Sequence, residues 1–306
     1  KRSHETILNE SIDILFYPDI GMSPHSYILC LSRLALVQVT SFGHPNTSGS
    51  KNMDYFISAN DTETDSSDKY YTEKLIRFSR LPFNYKKPTI KKTKFTRKSL
   101  TLPKDNFLIG IPQSLFKFHP SYDYYLDKII EEIPNAYFLI IESSKEHENQ
   151  LLKIRWKEKT KLILSRTIFY PRVERDDFLE IVKTVDIMLD TLYFGVGNTF
   201  YESMSFGTPM VTMPTSLQRT RNAYAGYKQM GIKDPPIANN PEEYVSLCKK
   251  LAYNKAYRDE LRKEIKEKAS KFLLEDKLIY KEYSKFFQDA YAAAKANKSL
   301  EKDWHP

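Results

Sequence analysis

This 306-residue chain holds two cysteines, two tryptophans and nine glycines. Cys30 and Cys248 lie far apart, which excludes a disulfide framework and a four-cysteine zinc site. Their apolar, helix-like surroundings suit a reduced, cytoplasmic setting. No stretch approaches the roughly 18 consecutive apolar residues of a membrane span, and the opening KRSHETILNE does not read as a signal peptide. The chain starts at Lys1 without a methionine, as a fragment or a processed product would. The histidines His4, His25, His44, His119, His147 and His305 show no metal-ligand spacing. There is no Asp-x-Asp pair to hold a divalent cation against a pyrophosphate, so no metal or other cofactor is expected. Neither a Walker loop nor a GxGxxG fingerprint supports kinase-like or dinucleotide chemistry.

What is present points to a folded α/β protein. With 41% hydrophobic and 28% charged residues the chain can bury a core and stay in solution, which excludes a disordered tail or a collagen. Aromatics are frequent, at 21 Tyr and 18 Phe. The net charge of +8 is concentrated in one stretch: Lys86, Lys87, Lys91, Lys92, Lys94, Arg97 and Lys98 stand together without an acid. Phe95 apart, that stretch lacks the interleaved aromatics on which bases stack, so it reads as a solvated basic linker and no nucleic-acid partner is expected.

Short apolar runs alternate with amphipathic stretches, the pattern of a parallel sheet covered by helices. Strands are expected at residues 12–17, 35–40, 54–57, 106–111, 136–141, 167–170, 187–189 and 209–213. Helices are expected at 121–133, 145–156, 175–184, 199–206 and 221–230, then at 242–252, 257–271 and 277–296, with 297–306 frayed. The basic stretch divides the chain into residues 1–100, with too few strands for a full doubly wound domain, and residues 101–306, with a complete set. Leu278, Tyr280, Tyr283, Phe286, Phe287 and Tyr291 form a stripe at helical spacing, too apolar to leave in water. It is expected to pack on residues 1–60, with packing solely on its own lobe as the alternative.

The run DTLYFGVGNTFYESMSFGTPMVTMP, Asp190–Pro214, carries the most chemistry. It reads as strand, loop with Gly195 and Gly197, helix opening at Asn198–Thr199, then Gly207-Thr208-Pro209 and a strand. Glycines let a ligand approach the backbone, and a helix N-terminus offers unpaired N–H groups to a phosphate. Asn198 is expected to cap the helix. Glu202, one turn on, is spaced to accept hydrogen bonds from sugar hydroxyls. An ordinary capped βα turn would read the same way.

With the segments that follow and precede it, this run resembles the protein O-GlcNAc transferase family, glycosyltransferase family 41, in its bacterial and SPINDLY-like branch. The resemblance rests on SFGTPMVTMP with RTRNAYAGYKQMGI, on VQVTSFGHPNTSGSKNMDYFIS (Val37–Ser58) preceded by IDILFYPDIGM (Ile12–Met22), and on IPQSLFKFHP (Ile111–Pro120) followed by IPNAYFLII. It covers about residues 12 to 235, in the family's order. It implies a GT-B fold: a complete C-terminal Rossmann-like lobe, the end of an N-terminal one, and closing helices. The rest of that lobe and the family's helical repeats would then lie upstream. It also implies an inverting, metal-independent transfer of GlcNAc or another hexose from a UDP-sugar to Ser or Thr of a protein acceptor. The alternatives are an N-glucosyltransferase acting on Asn, or a nucleotide-sugar-binding fragment without turnover.

Carried across residue by residue, the resemblance gives Lys117 the role of steadying the leaving UDP, with Gln113 or Ser114 beside it. Gly197, Asn198 and Thr199 stand where the family holds phosphate, although Gly197 replaces a histidine and Asn198 a threonine. Glu202 replaces an Asp that binds ribose. Val173, Arg175 and Phe178 fall where the family reads uracil, Phe178 being equally suited to its helix's core. His44, in Gly43-His44-Pro45, is the candidate for proton relay or for a hydrogen bond to the sugar; a buried histidine bonded to backbone fits as well.

Overall fold

The structure, a computed structural model, describes residues 2–100, 106–301 and 304–306. In chain order, α1 (Arg2–Asn9), β1 (Ile14–Tyr17), α2 (Pro24–Cys30), β2 (Val37–Ser41), β3 (Tyr55–Ala59) and β4 (Lys74–Phe78) come first. Strands and helices then alternate through β5 (Phe107–Gly110), α3 (Pro120–Glu132), β6 (Ala136–Ile141), α4 (Glu146–Lys159) and β7 (Thr167–Tyr170). The alternation continues with α5 (Arg175–Thr184), β8 (Ile187–Leu189), α6 (Asn198–Phe206) and β9 (Met210–Val211). The last helices are α7 (Asn222–Met230), α8 (Pro241–Tyr253), α9 (Lys255–Phe272) and α10 (Ile279–Lys295).

The chain divides into two compact units. The first comprises Lys1–Asn84, Ser216–Arg219 and Asp276–Pro306, the second Tyr85–Thr215 and Thr220–Glu275. The sequence boundary near residue 100 is therefore displaced, and the closing helix returns to the first unit. The basic stretch is no solvated linker. Its lysine side chains are exposed, but its backbone is docked within the second unit. The N–H groups of Lys91 and Lys92 donate to Asp176, those of Lys94 and Phe95 to Asp177, and the buried Phe95 ring meets Tyr170 edge-on at 5.4 Å.

In the first unit the described residues form a parallel sheet in the order β1-β2-β3-β4. Its core joins Val37, Val39, Tyr55, Ile57, Ile76 and Phe78 to Ile279, Phe286 and Ala290 of α10. The aromatic stripe thus buries Phe286 against this sheet, with Tyr55 edge-on at 5.5 Å, while Leu278 and Tyr280 at its start stay exposed. The expected fraying after 296 is corrected at two points. Leu300 is buried and its N–H donates to the Tyr55 hydroxyl at 3.0 Å, and Trp304 packs on Phe286.

In the second unit the sheet order is β7-β6-β5-β8-β9, all parallel. The chain winds from β5 outward to β7, then crosses back to start again at β8, on the other side of β5. Ile109 lies opposite Ile187 and Gly110 opposite Met188. The carboxyl ends of β5 and β8 therefore flank the point where strand order reverses, the place in such sheets where ligands bind.

Candidate functional site

Two loops leave that point. After β5 the chain passes through Gln113 and a single 3-10 turn, Leu115–Lys117. After β8 it passes through Asp190–Gly197 into α6. They meet at Lys117, whose Nζ donates to the Gly195 carbonyl at 2.8 Å and to Gln113 Oε1 at 3.0 Å, and sits 4.7 Å from the Phe194 ring centre. Burial pulls the lysine pKa below its ordinary value, and the Asp190 charge works against that fall. Gln113 is buried and its Nε2 has no hydrogen-bond partner among the described residues, a donor left over beside a cation. Ser114 is exposed and starts the turn with its backbone alone, so of the two candidates Gln113 is the one the fold brings onto Lys117.

Gly197, not Asn198, is the N-cap of α6, and no side chain caps that helix. Asn198 is its first residue, so the expected Asn198 cap does not form. The reason is the register of the turn: Asn198 is already helical, and an Ncap residue has extended dihedrals. Orphan N–H groups of the first turn thereby remain available. A Cβ built on Gly197 would meet nothing within 4 Å, so the approach to the helix start is open. Thr199 is half-buried behind Asn198.

Asp190, which the sequence reading passed over, ties this loop down. Its Oδ1 accepts the Val196 N–H at 2.8 Å and its Oδ2 the Thr212 hydroxyl at 2.7 Å. Its carbonyl accepts the Tyr244 hydroxyl at 2.8 Å. Burial raises its carboxyl to about 6, although Thr212, Val196 and then Lys117 pull it down. The signal was there to find: an acid closing the apolar run Ile187–Leu189 at the end of a central strand must be buried beside a compensating group.

Glu202, on α6, is buried and accepts a hydrogen bond from the Tyr85 hydroxyl at 3.1 Å. Arg175 opens α5 and, with Tyr85, Lys86, Lys87, Lys91 and Asp176, lines a cavity of about 540 Å³. Val173 lies in the β7–α5 loop and Phe178 in the first turn of α5, both half-buried, and neither lines that cavity.

His44 belongs to the first unit. Its ring packs on Gly21, where φ is +91° and an added Cβ would come within 2.8 Å of the imidazole Cγ. Burial, then the Arg219 charge, lower its pKa, so the ring is neutral at neutral pH. The loop after it is pinned by Glu73, which accepts from the Thr47 hydroxyl at 2.6 Å and the Ser48 N–H at 2.8 Å. Among the described residues no three His, Cys, Asp or Glu side chains are grouped to hold a metal, and no helix is long and apolar enough to cross a membrane.

A model of glycosyl transferase family 41 matches residues 86–283. The chain is 24% identical over 239 residues to a probable UDP-N-acetylglucosamine–peptide N-acetylglucosaminyltransferase, SEC, of Arabidopsis thaliana, covering 76% of this chain and 24% of that protein. It is 25% identical over 278 residues to a UDP-glucose:protein N-beta-glucosyltransferase of Actinobacillus pleuropneumoniae, covering 83% of this chain and 40% of that one. It thus spans well under half the length of these relatives. A substituted O-GlcNAc transferase of Thermobaculum terrenum superposes with a TM-score of 0.84 at 20% identity, over 97% of this chain and 56% of that one. Anabaena HepE, solved with UDP and glucose, superposes at 0.62 with 12% identity, over 94% and 80%. These likenesses show a GT-B type of α/β fold.

Proposed function

Because the chain belongs to glycosyl transferase family 41, we propose that it binds a UDP-sugar through its second unit and transfers the sugar to a protein. The observation that carries this reading is Lys117 Nζ on the Gly195 carbonyl, where the loops after β5 and β8 meet in front of the open start of α6. Transfer breaks the bond between the anomeric carbon and the β-phosphate oxygen and leaves negative charge on UDP. A fixed cation and helix N–H groups stabilise that charge as it develops. The Lys117 amine, Gln113 Nε2 and the N–H groups at Asn198 and Thr199 are of that kind. These donors need no metal ion for the phosphates. Val173, Arg175 and Phe178 are assigned to the base, Glu202 to the ribose.

The acceptor hydroxyl attacks the anomeric carbon from the opposite face, with inversion, and loses its proton. His44, neutral near pH 7, is the residue we assign to proton relay. The favoured transfer is GlcNAc to Ser or Thr. Glucose transfer to Asn is the second reading, since a UDP-glucose:protein N-beta-glucosyltransferase matches this chain at 25% identity, level with the plant relative at 24%.

The test incubates the chain in EDTA with UDP-GlcNAc or UDP-glucose and peptides carrying Ser/Thr or Asn, and reads the products by mass spectrometry. A HexNAc on Ser or Thr is the expected product. Hexose on Asn would replace it with the second reading. UDP-sugar binding with neither hydrolysis nor transfer would leave a binding module in place of an enzyme.

A further inference from the structure

Glu202 is a nine-tenths buried carboxylate with one hydrogen-bond partner among the described residues, the Tyr85 hydroxyl at 3.1 Å. Burial raises the Glu202 carboxyl, and Tyr85 and then the Arg175 charge draw it part of the way back. A buried carboxylate held by a single neutral donor is under-satisfied, since it can accept several hydrogen bonds. We propose that Tyr85 is a positioning residue for the donor nucleotide. It holds one Glu202 oxygen so that the other faces the ribose diol, and thereby makes the site read the two ribose hydroxyls. This rests on the UDP-sugar reading and adds to it a residue outside the Asp190–Pro214 run.

Three features suit Tyr85 to the task. Its ring lies flat on Tyr201, the neighbour of Glu202 on α6, at 4.8 Å and 12°. Its carbonyl accepts the Glu275 N–H at 2.9 Å, which fixes the backbone behind the ring. It also lines the cavity of about 540 Å³ with Lys86, Lys87, Lys91 and Arg175, within the size range of small-molecule pockets. A tyrosine stacked and anchored in this way has no rotational freedom to spend on holding its hydroxyl in place. Desolvation and the Glu202 charge push its own pKa up to about 12, so the hydroxyl stays protonated and donates.

The experiment titrates the chain calorimetrically with UDP and with 2′,3′-dideoxy-UDP, as wild type, Tyr85→Phe, Glu202→Gln and the double variant. The wild type is expected to prefer UDP. Tyr85→Phe keeps the ring stack and removes one donor, and should shrink that preference by about three- to tenfold while leaving the affinity for the dideoxy nucleotide unchanged. In the Glu202→Gln background the same change should cost nothing more. An undiminished preference in Tyr85→Phe, or an equal loss for both nucleotides, would overturn the positioning role and leave the UDP reading standing. Equal wild-type affinity for both nucleotides would remove Glu202 from the ribose. A wild type that binds neither would bring down the UDP-sugar reading and this inference with it.

Discussion

At the scale of single residues, the carboxylate of Asp190 accepts hydrogen bonds from the Val196 N–H and the Thr212 hydroxyl and so holds the loop that faces Lys117. Its folded pKa of about 6 lies above the ordinary carboxylate value, because burial outweighs its hydrogen bonds. The folded state therefore binds more protons than the unfolded one between about pH 4 and about pH 6, and stability falls as pH rises through that window. Asp190→Asn cannot ionise and lacks this slope. The stability of the wild type relative to the variant should fall by about 2–3 kcal/mol from about pH 4 to about pH 7. Urea unfolding followed by Trp156 fluorescence, in a Trp304→Phe background, measures it. A pH-independent difference would mean that Asp190 ionises as freely folded as unfolded. Holding this acid charged at neutral pH costs the fold stability and keeps a counter-charge near a half-buried lysine, an expense typical of functional sites.

At the scale of elements, α10 supplies the first unit with part of its core. Phe286 is fully buried among Tyr55, Phe78 and Trp304, so Phe286→Ala leaves a cavity and should cost about 3–5 kcal/mol. Hydrogen exchange should show that loss at β2–β4 while β5 and β6 keep their protection. Equal deprotection of both sheets would mean that the two units open together. Elements like α10 were legible because their apolar spacing is long and periodic. The strands 136–141 and 187–189 read as drawn for the opposite reason, being unbroken apolar runs buried on both faces. β4 was not legible: Lys74 and Arg77 interrupt it, and both are half-buried because their heads bond to the Leu300 carbonyl and to Asp68. α2 is seven residues with exposed Tyr27 and Ile28, too short for a helical period to show. At the site, the α6 start was readable from the glycine-bearing run, whereas Lys117 came only through the family resemblance. Asp190, Glu73 and Tyr85 were not weighed, because their partners lie 6, 25 and 117 positions away and only the fold pairs them.

At the scale of the whole chain, the described residues form two parallel sheets, with the candidate phosphate donors on the second unit and His44 on the first. The central claim is that a UDP-sugar's phosphates lie against Lys117 and the start of α6. The most direct measurement is calorimetric titration of UDP and of uridine in EDTA, for the wild type and Lys117→Ala. The wild type should bind UDP without metal. Lys117→Ala should weaken UDP by about 1.5–3 kcal/mol, the worth of a charged hydrogen bond, and uridine far less. Equal losses for the two ligands would place the lysine away from the phosphates, and UDP affinity that vanished on chelation would contradict the metal-free site.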